Sequence, residues 1–145
     1  METPDEQLNA EPNAQWHVLD AKDEVLGRLA TKAAYLLTGK TLPTYTPNIL
    51  APVYVIIVNT DLIHLTGSKE DQKVYQRYSG YPGGLYTRTF KEQMRRDSRK
   101  VMEAAVNGML PKNNSRDDRM RHLKLYKGAE HPHLPQVADK AKAAK

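Results

Sequence analysis

The chain has 145 residues, no cysteine and a formal net charge of +5, from 22 Lys and Arg against 17 Asp and Glu. That length gives one domain with a sizeable core, and the absence of thiols excludes a disulfide framework or a thiolate-bound metal. The longest apolar run, Val53 to Val58, is far too short to cross a bilayer, and Met1-Glu2-Thr3-Pro4-Asp5-Glu6 has neither the basic start nor the apolar segment of a signal peptide; a cytoplasmic protein with no membrane partner is expected.

Residues 1–15 carry four acids and no Lys or Arg, so a charge of +9 falls on the remainder of the chain. With hardly a β-branched or aromatic residue, they are expected to form a disordered acidic extension. Trp16 to Asp20 reads as a first strand, ended by the polar turn Ala21-Lys22-Asp23-Glu24. From Gly27 to Thr38 the spacing of Leu26, Leu29, Ala30, Ala33, Leu36 and Leu37 predicts an amphipathic helix. Gly39 is placed to cap it in the left-handed conformation, and Pro43 and Pro47 prevent its continuation.

Val53 to Val58 is apolar or β-branched apart from Tyr54, as in a strand buried on both faces of a parallel sheet. Leu62 to Thr66 is expected to be another strand, ending at Gly67. Gln76 to Arg88 follows, with three glycines and a proline within five residues, which marks turns and loop. This stretch carries three tyrosines and two arginines, the flat rings and guanidinium forks that stack on bases and grip phosphates. A glycine-rich hairpin with its tyrosines lying flat on the domain is the plainer alternative.

Thr89 and Glu92 fit a capping box that starts a short helix to about Arg96. A second helix, Ser98 to Gly108, shows an apolar stripe of Val101, Met102, Ala105, Val106 and Met109. Ser115 is placed to cap a last short helix, with Asp117 and Asp118 in its first turn. His122 to Tyr126 alternates, so a final strand is expected to bury Leu123 and Leu125 and turn Lys124 and Tyr126 outward. The order gives an α/β fold: a single three-layer domain over residues 16–136, with helices packed on a mostly parallel, roughly four-stranded sheet. Residues 137–145 read as a short basic tail.

An α/β sheet invites a nucleotide-dependent enzyme, but the motifs fail. Gly39-Lys40-Thr41 resembles the end of a phosphate loop, yet the glycine required earlier is Ala34, and the segment follows a helix instead of preceding one. His131-Pro132-His133, with His122 near in sequence, has no ligand spacing or carboxylates to complete a metal site. No catalytic constellation is evident, and no cofactor or small-molecule substrate is expected. Between Lys69 and Lys127 there are 15 Lys and Arg against 7 Asp and Glu, the footprint of a polyanion partner. Lys73, Arg77 and Arg88 flank the glycine-rich stretch; Lys112, Arg116, Arg119 and Arg121 follow Met109-Leu110-Pro111; Lys124 and Lys127 extend the last strand. Tyr75, Tyr78, Tyr81, Tyr86 and Tyr126 interleave with them. The reading is RNA binding by phosphate neutralisation and stacking, in a structural or a regulatory protein.

Gly27-Arg28-Leu29-Ala30, Gly39-Lys40, Tyr45-Thr46-Pro47, Leu65-Thr66-Gly67, Ser79-Gly80-Tyr81-Pro82-Gly83-Gly84-Leu85, Gly108-Met109-Leu110-Pro111-Lys112, Leu123-Lys124-Leu125-Tyr126 and Gly128-Ala129-Glu130-His131-Pro132-His133 occur in this order. Together they resemble the bacterial form of the large-subunit ribosomal protein L13 family, over about residues 16–136. The resemblance implies an α/β fold, ribosomal RNA and neighbouring large-subunit proteins as partners, and a role in subunit assembly instead of catalysis. Lys40, Tyr78, Tyr81, His131 and His133 join the basic residues above as candidate RNA contacts. The chain departs from the family pattern after Lys112, where Asn113 to Arg119 includes two acids, and around Lys40, where Thr38, Thr41 and Leu42 replace a more basic run.

Overall fold

The computed structural model describes residues 14–137. The expected acidic extension, apart from Ala14 and Gln15, and the expected basic tail, apart from Val137, lie outside the described residues. Gln15 already belongs to the first strand, β1 (Gln15–Asp20).

The centre of the fold is β2 (Val53–Val58), buried at every position. It pairs in parallel with β1, from Gln15↔Val53 to Asp20↔Val58, and on its other edge with β5 (Leu123–Leu125), from Val55↔Leu123 to Ile57↔Leu125. Because side chains alternate across a strand, β2 feeds two cores. Val53, Val55 and Ile57 enter the larger one, while Tyr54, Ile56 and Val58 join Trp16 in the other. Each such burial is worth about 1.5–3 kcal/mol, which explains why the strand can be apolar throughout.

The larger core is roofed by α1 (Leu26–Thr38), through Leu26, Leu29, Ala30, Ala33 and Leu37, and by α4 (Ser98–Met109), through Val101, Met102 and Val106. Met109 falls outside that stripe and is exposed. Gly39 closes α1 with φ of +79°, its N–H donating to the Leu36 carbonyl at 2.9 Å. A Cβ there would overlap the Ala51 methyl. The opposite face of the sheet is covered by aromatic stacking: Trp16 on Tyr54 at 4.4 Å, Tyr54 on His122 at 4.3 Å and Trp16 on His133 at 5.2 Å. Tyr126, expected to face outward, packs against this second core together with Val137.

The sheet has three strands, where about four were expected. Leu62 to Thr66 forms no strand. Thr60–Leu62 is a 3-10 turn, Leu62 is exposed, and the segment makes a single bridge, Val25↔His64. Ile63 is buried and Leu65 half-buried, so the apolar alternation is real. It serves an extended linker whose His64 bonds through its backbone to Glu24 and Leu26.

The glycine-rich stretch is a two-stranded ribbon closed by a tight turn, the hairpin that stood as the plainer alternative to a loop, although Tyr78, Tyr81 and Tyr86 are exposed instead of lying flat on the domain. Strands β3 (Val74–Tyr78) and β4 (Leu85–Thr89) run antiparallel from Val74↔Thr89 to Tyr78↔Leu85. Between them the Gly84 N–H donates to the Tyr81 carbonyl at 2.9 Å, with Pro82 next and Gly83 at φ of +72°, the residue order of a type II turn. An isolated hairpin is marginal in water. This one is anchored at its base, where the Phe90 N–H donates to the Lys73 carbonyl and the Phe90 ring is buried. Helix α2 (Lys69–Gln72) precedes the ribbon and α3 (Phe90–Arg96) follows it; Lys91 and Asp71 pair between the two helices.

Thr89 caps α3 by accepting from the Glu92 N–H at 3.3 Å, one half of the expected capping box. Asp97 caps α4, accepting from the Arg99 N–H at 3.2 Å. Helix α5 (Ser115–Arg121) takes Asn114 as its N-cap, and neither its side chain nor a serine cap supplies the expected bond.

Candidate nucleic-acid interface

The register of the ribbon decides what its faces carry. Tyr75 pairs with Arg88 and Arg77 with Tyr86, so one face holds a two-by-two array of rings and guanidinium groups. Val74, Gln76, Tyr78, Leu85, Thr87 and Thr89 fall on the other face, which is uncharged. Tyr75 and Arg88 are half-buried near the base, while Arg77 and Tyr86 are exposed farther out.

Between the ribbon and the body lies a groove of about 580 Å³, lined by Arg77, Arg88 and Lys100, by Tyr75, Tyr78 and Tyr86, and by Gln76, Ser79 and Gln93. Its polar floor is unusual. Gln93 is 6% exposed, and the buried Tyr75 hydroxyl has no protein hydrogen-bond partner among the described residues. Burial pushes the Tyr75 phenol above its ordinary range, so it stays a neutral donor.

Several cations outside the groove are paired with acids. Lys32 binds Glu24 at 2.9 Å, Arg99 binds Asp97 at 3.0 Å and Arg121 binds Asp118 at 3.2 Å. Arg116 lies 4.0 Å from Asp117, and Lys127 lies 3.9 Å from Asp97. Among the described residues, no carboxylate stands within ion-pair distance of Arg77, Arg88 or Lys100. Their charge is free to meet an anion from outside.

The remaining candidates are dispersed. Tyr78 and Tyr81 are exposed on the ribbon and its turn, at 62% and 75%. The Lys73 ammonium sits 5.2 Å from the Tyr75 ring centroid. Lys40, Lys112 and Lys127 are exposed and Lys124 is half-buried; none of the four lines the groove. Arg119, expected at the RNA surface, is instead 1% exposed, and its Nη2 donates to the Pro47 carbonyl at 3.2 Å. The side chain ties α5 to the segment after α1. His131 and His133 pack around the Tyr126 ring at 6.1 and 6.0 Å. Burial, then the nearby charge of Lys124 and of His131, holds His133 below the ordinary histidine range, so near neutral pH it offers a ring, not a charge. Among the described residues no cluster of His, Asp or Glu could hold a metal ion.

Gln93 and Lys100 were not singled out in the sequence. Lys100 lies opposite the apolar stripe of its helix, and Gln93 falls three residues after the buried Phe90. A polar residue at that spacing, on the core-facing side, was the available signal.

The sequence pattern of the family described as Ribosomal protein L13 matches residues 14–132. The chain is 50% identical over 122 residues to the large ribosomal subunit protein uL13 of Streptomyces coelicolor, covering 84% of this chain and 83% of that one. It is 49% identical to the protein of that name from Micrococcus luteus, with the same coverage of 84% and 83%. The Solibacter usitatus protein of that name is 44% identical over 124 residues, covering 86% of this chain and 87% of the other.

Proposed function

The chain belongs to the ribosomal protein L13 family, and from that premise we propose that it is a non-catalytic constituent of the large ribosomal subunit in the cytoplasm. It binds ribosomal RNA through the Arg/Tyr face of the ribbon and supports subunit assembly beside neighbouring ribosomal proteins. The observation that carries the RNA-binding part is the set of cations without acidic partners, Arg77, Arg88 and Lys100, interleaved with tyrosine rings. Phosphate contacts by such groups release condensed counterions and give salt-dependent affinity. Exposed rings add stacking that tolerates any base.

Lys40, Lys73, Lys112, Lys124 and Lys127 extend the basic surface as phosphate contacts. Arg116 and Arg121 join them once RNA phosphate competes with their weak, exposed acid pairs. Tyr78 and Tyr81 supply further rings, and His131 and His133 contact RNA beside Tyr126. Residues 16–136 form the RNA-binding body, joined by Gln15 in β1 and Val137 on the second core, with residues 1–14 and 138–145 as extensions of it.

The test is sedimentation of native lysate at low magnesium, probing for this chain in the separated subunits. Stoichiometric recovery with the large subunit after a moderate salt wash is expected. Recovery only among free proteins would overturn the ribosomal placement and leave a regulatory RNA-binding protein.

A further inference from the structure

The groove under the ribbon is built for more than phosphate. A surface that only neutralises a duplex backbone needs exposed cations and no enclosed floor. This one is a concavity whose volume falls within the usual 300–1,000 Å³ or so of small-ligand sites. Tyr86 stands at 62% exposure, available for stacking. Arg77 lies directly opposite it in the register, and Arg88 lies on the same face at the base. Gln93, more than nine-tenths buried, lines the floor with an amide that has no hydrogen bond among the described residues. The Tyr75 hydroxyl is buried without a protein partner among the described residues. Buried polar groups normally find partners; this hydroxyl has none among the described residues, and the Gln93 amide beside it lies open to the groove, so a ligand with polar edges would complete both.

We propose that the groove captures a single unpaired nucleotide extruded from folded RNA, stacking its base on Tyr86, reading its edge with Gln93 and the Tyr75 hydroxyl, and holding its phosphates with Arg77, Arg88 and Lys100. This rests on the RNA-binding reading above and deepens it: the ribbon selects a bulged or looped nucleotide over a paired one. Paired bases keep their faces in the stack and their Watson–Crick edges occupied, so only an unstacked nucleotide offers both to one groove. A free or peptide-borne phosphate would use the three cations but leave the Tyr86 ring and the Gln93 amide without a role.

The experiment uses the full-length chain and measures fluorescence anisotropy with labelled rA, rC and rU oligomers of about twelve nucleotides, within the reach of a single-strand site. A fully paired RNA of equal phosphate count is the comparison. Tyr86→Ala should weaken single-strand binding by about 5- to 100-fold, the range of one lost base stack. It should leave the salt slope and the affinity for paired RNA unchanged. Gln93→Leu should alter the preference among the three oligomers by about tenfold, as one lost hydrogen bond would, at an unchanged salt slope. Lys112→Ala, outside the groove, should weaken paired and unpaired RNA equally.

The proposal is overturned if wild type binds paired and unpaired RNA alike, or if Tyr86→Ala lowers both equally or neither. Recovery with large subunits alongside that result would remove the nucleotide site and keep the ribosomal placement. The expected Tyr86 and Gln93 effects in a chain that never cofractionates with subunits would do the reverse. Tyr86 is exposed, so its truncation leaves the core intact, and Gln93→Leu preserves side-chain volume.

Discussion

Tyr75 and Arg88 stand directly opposite one another across the ribbon, and each is the half-buried residue of its strand. The base of the Arg/Tyr face is therefore fixed by packing against the body, while Arg77 and Tyr86 extend it outward. A guanidinium held by its neighbours loses less side-chain entropy on meeting phosphate than a free surface lysine does.

Arg77→Ala with Arg88→Ala should weaken RNA binding and flatten its dependence on salt. If each arginine meets one phosphate, the log–log slope falls by about 1.4–1.8 units. Titrations at several salt concentrations check this, and an unchanged slope with unchanged affinity would remove the ribbon from the interface.

Two glycines should respond differently to alanine. At Gly39 the left-handed backbone and the overlap with Ala51 combine strain and overpacking, for a loss of about 2–4 kcal/mol of global stability. At Gly84 an added Cβ would stand 2.9 Å from the Tyr81 carbonyl and collide with the Ser79 hydroxyl. That damage is confined to the turn, so Gly84→Ala should leave thermal unfolding nearly unchanged while hydrogen exchange at Ser79 and Gly84 speeds up. Equal losses of stability in both variants would show that the ribbon and the core unfold as one unit.

Arg119 should behave as a core residue. Arg119→Ala empties a filled site and is expected to cost about 2–5 kcal/mol. Arg119→Met keeps the volume and removes a buried charge with one hydrogen bond among the described residues, so it should be neutral or stabilising, as replacement of buried ions by apolar side chains often is. Denaturant midpoints distinguish these outcomes. RNA affinity should be the same for Arg119→Met as for wild type, and a drop would place the guanidinium at the RNA after all.

His133 gives the fold a pH dependence of definite sign. Its folded-state pKa lies below the ordinary value of 6.5 because burial and the charge of Lys124 and His131 disfavour the imidazolium. The unfolded chain then binds more protons than the folded one as pH falls below about 6.5. Stability is fully present above that value and declines on acidification through the folded pKa. Thermal midpoints measured between pH 7 and 5 should therefore fall, and His133→Phe, which keeps a ring against Trp16, should fall less steeply. A steeper fall in the variant would sink this account.

What could be read in the sequence follows from how local each signal is. The α1 helix is written in the three- and four-residue spacing of Leu26, Leu29, Ala30, Ala33 and Leu37, and β2 in its six nearly uninterrupted apolar residues. Both depend only on burial. Ile63 and Leu65 imitate a strand because an extended linker that buries alternate residues shows the same period as a sheet. The ribbon was only half legible: Gly80, Gly83 and Gly84 around Pro82 fitted a loop as well as a hairpin, and only the register shows that the strands on either side pair in full. For the site, Arg77, Arg88 and the tyrosines were legible from composition alone, but their two-by-two arrangement exists only once the register is known. Arg119 gave no sign of burial within Ser115-Arg116-Asp117-Asp118-Arg119, because its partner, the Pro47 carbonyl, is contributed by a distant part of the chain.

The central strand has a consequence for how the protein is made. β2 is synthesised before half of the chain is complete, yet β5 and the histidines that cover Tyr54 and Trp16 come near the end. During translation the face bearing Tyr54, Ile56 and Val58 has only Ala14 and Trp16, of the residues that cover it, until the last part of the domain emerges, whatever the state of the helices on the other side. Domains fold as units once their sequence is available, so this one closes late. A nascent chain stalled before Leu123 would display an open strand edge beside an apolar face, the kind of surface that chaperones hold.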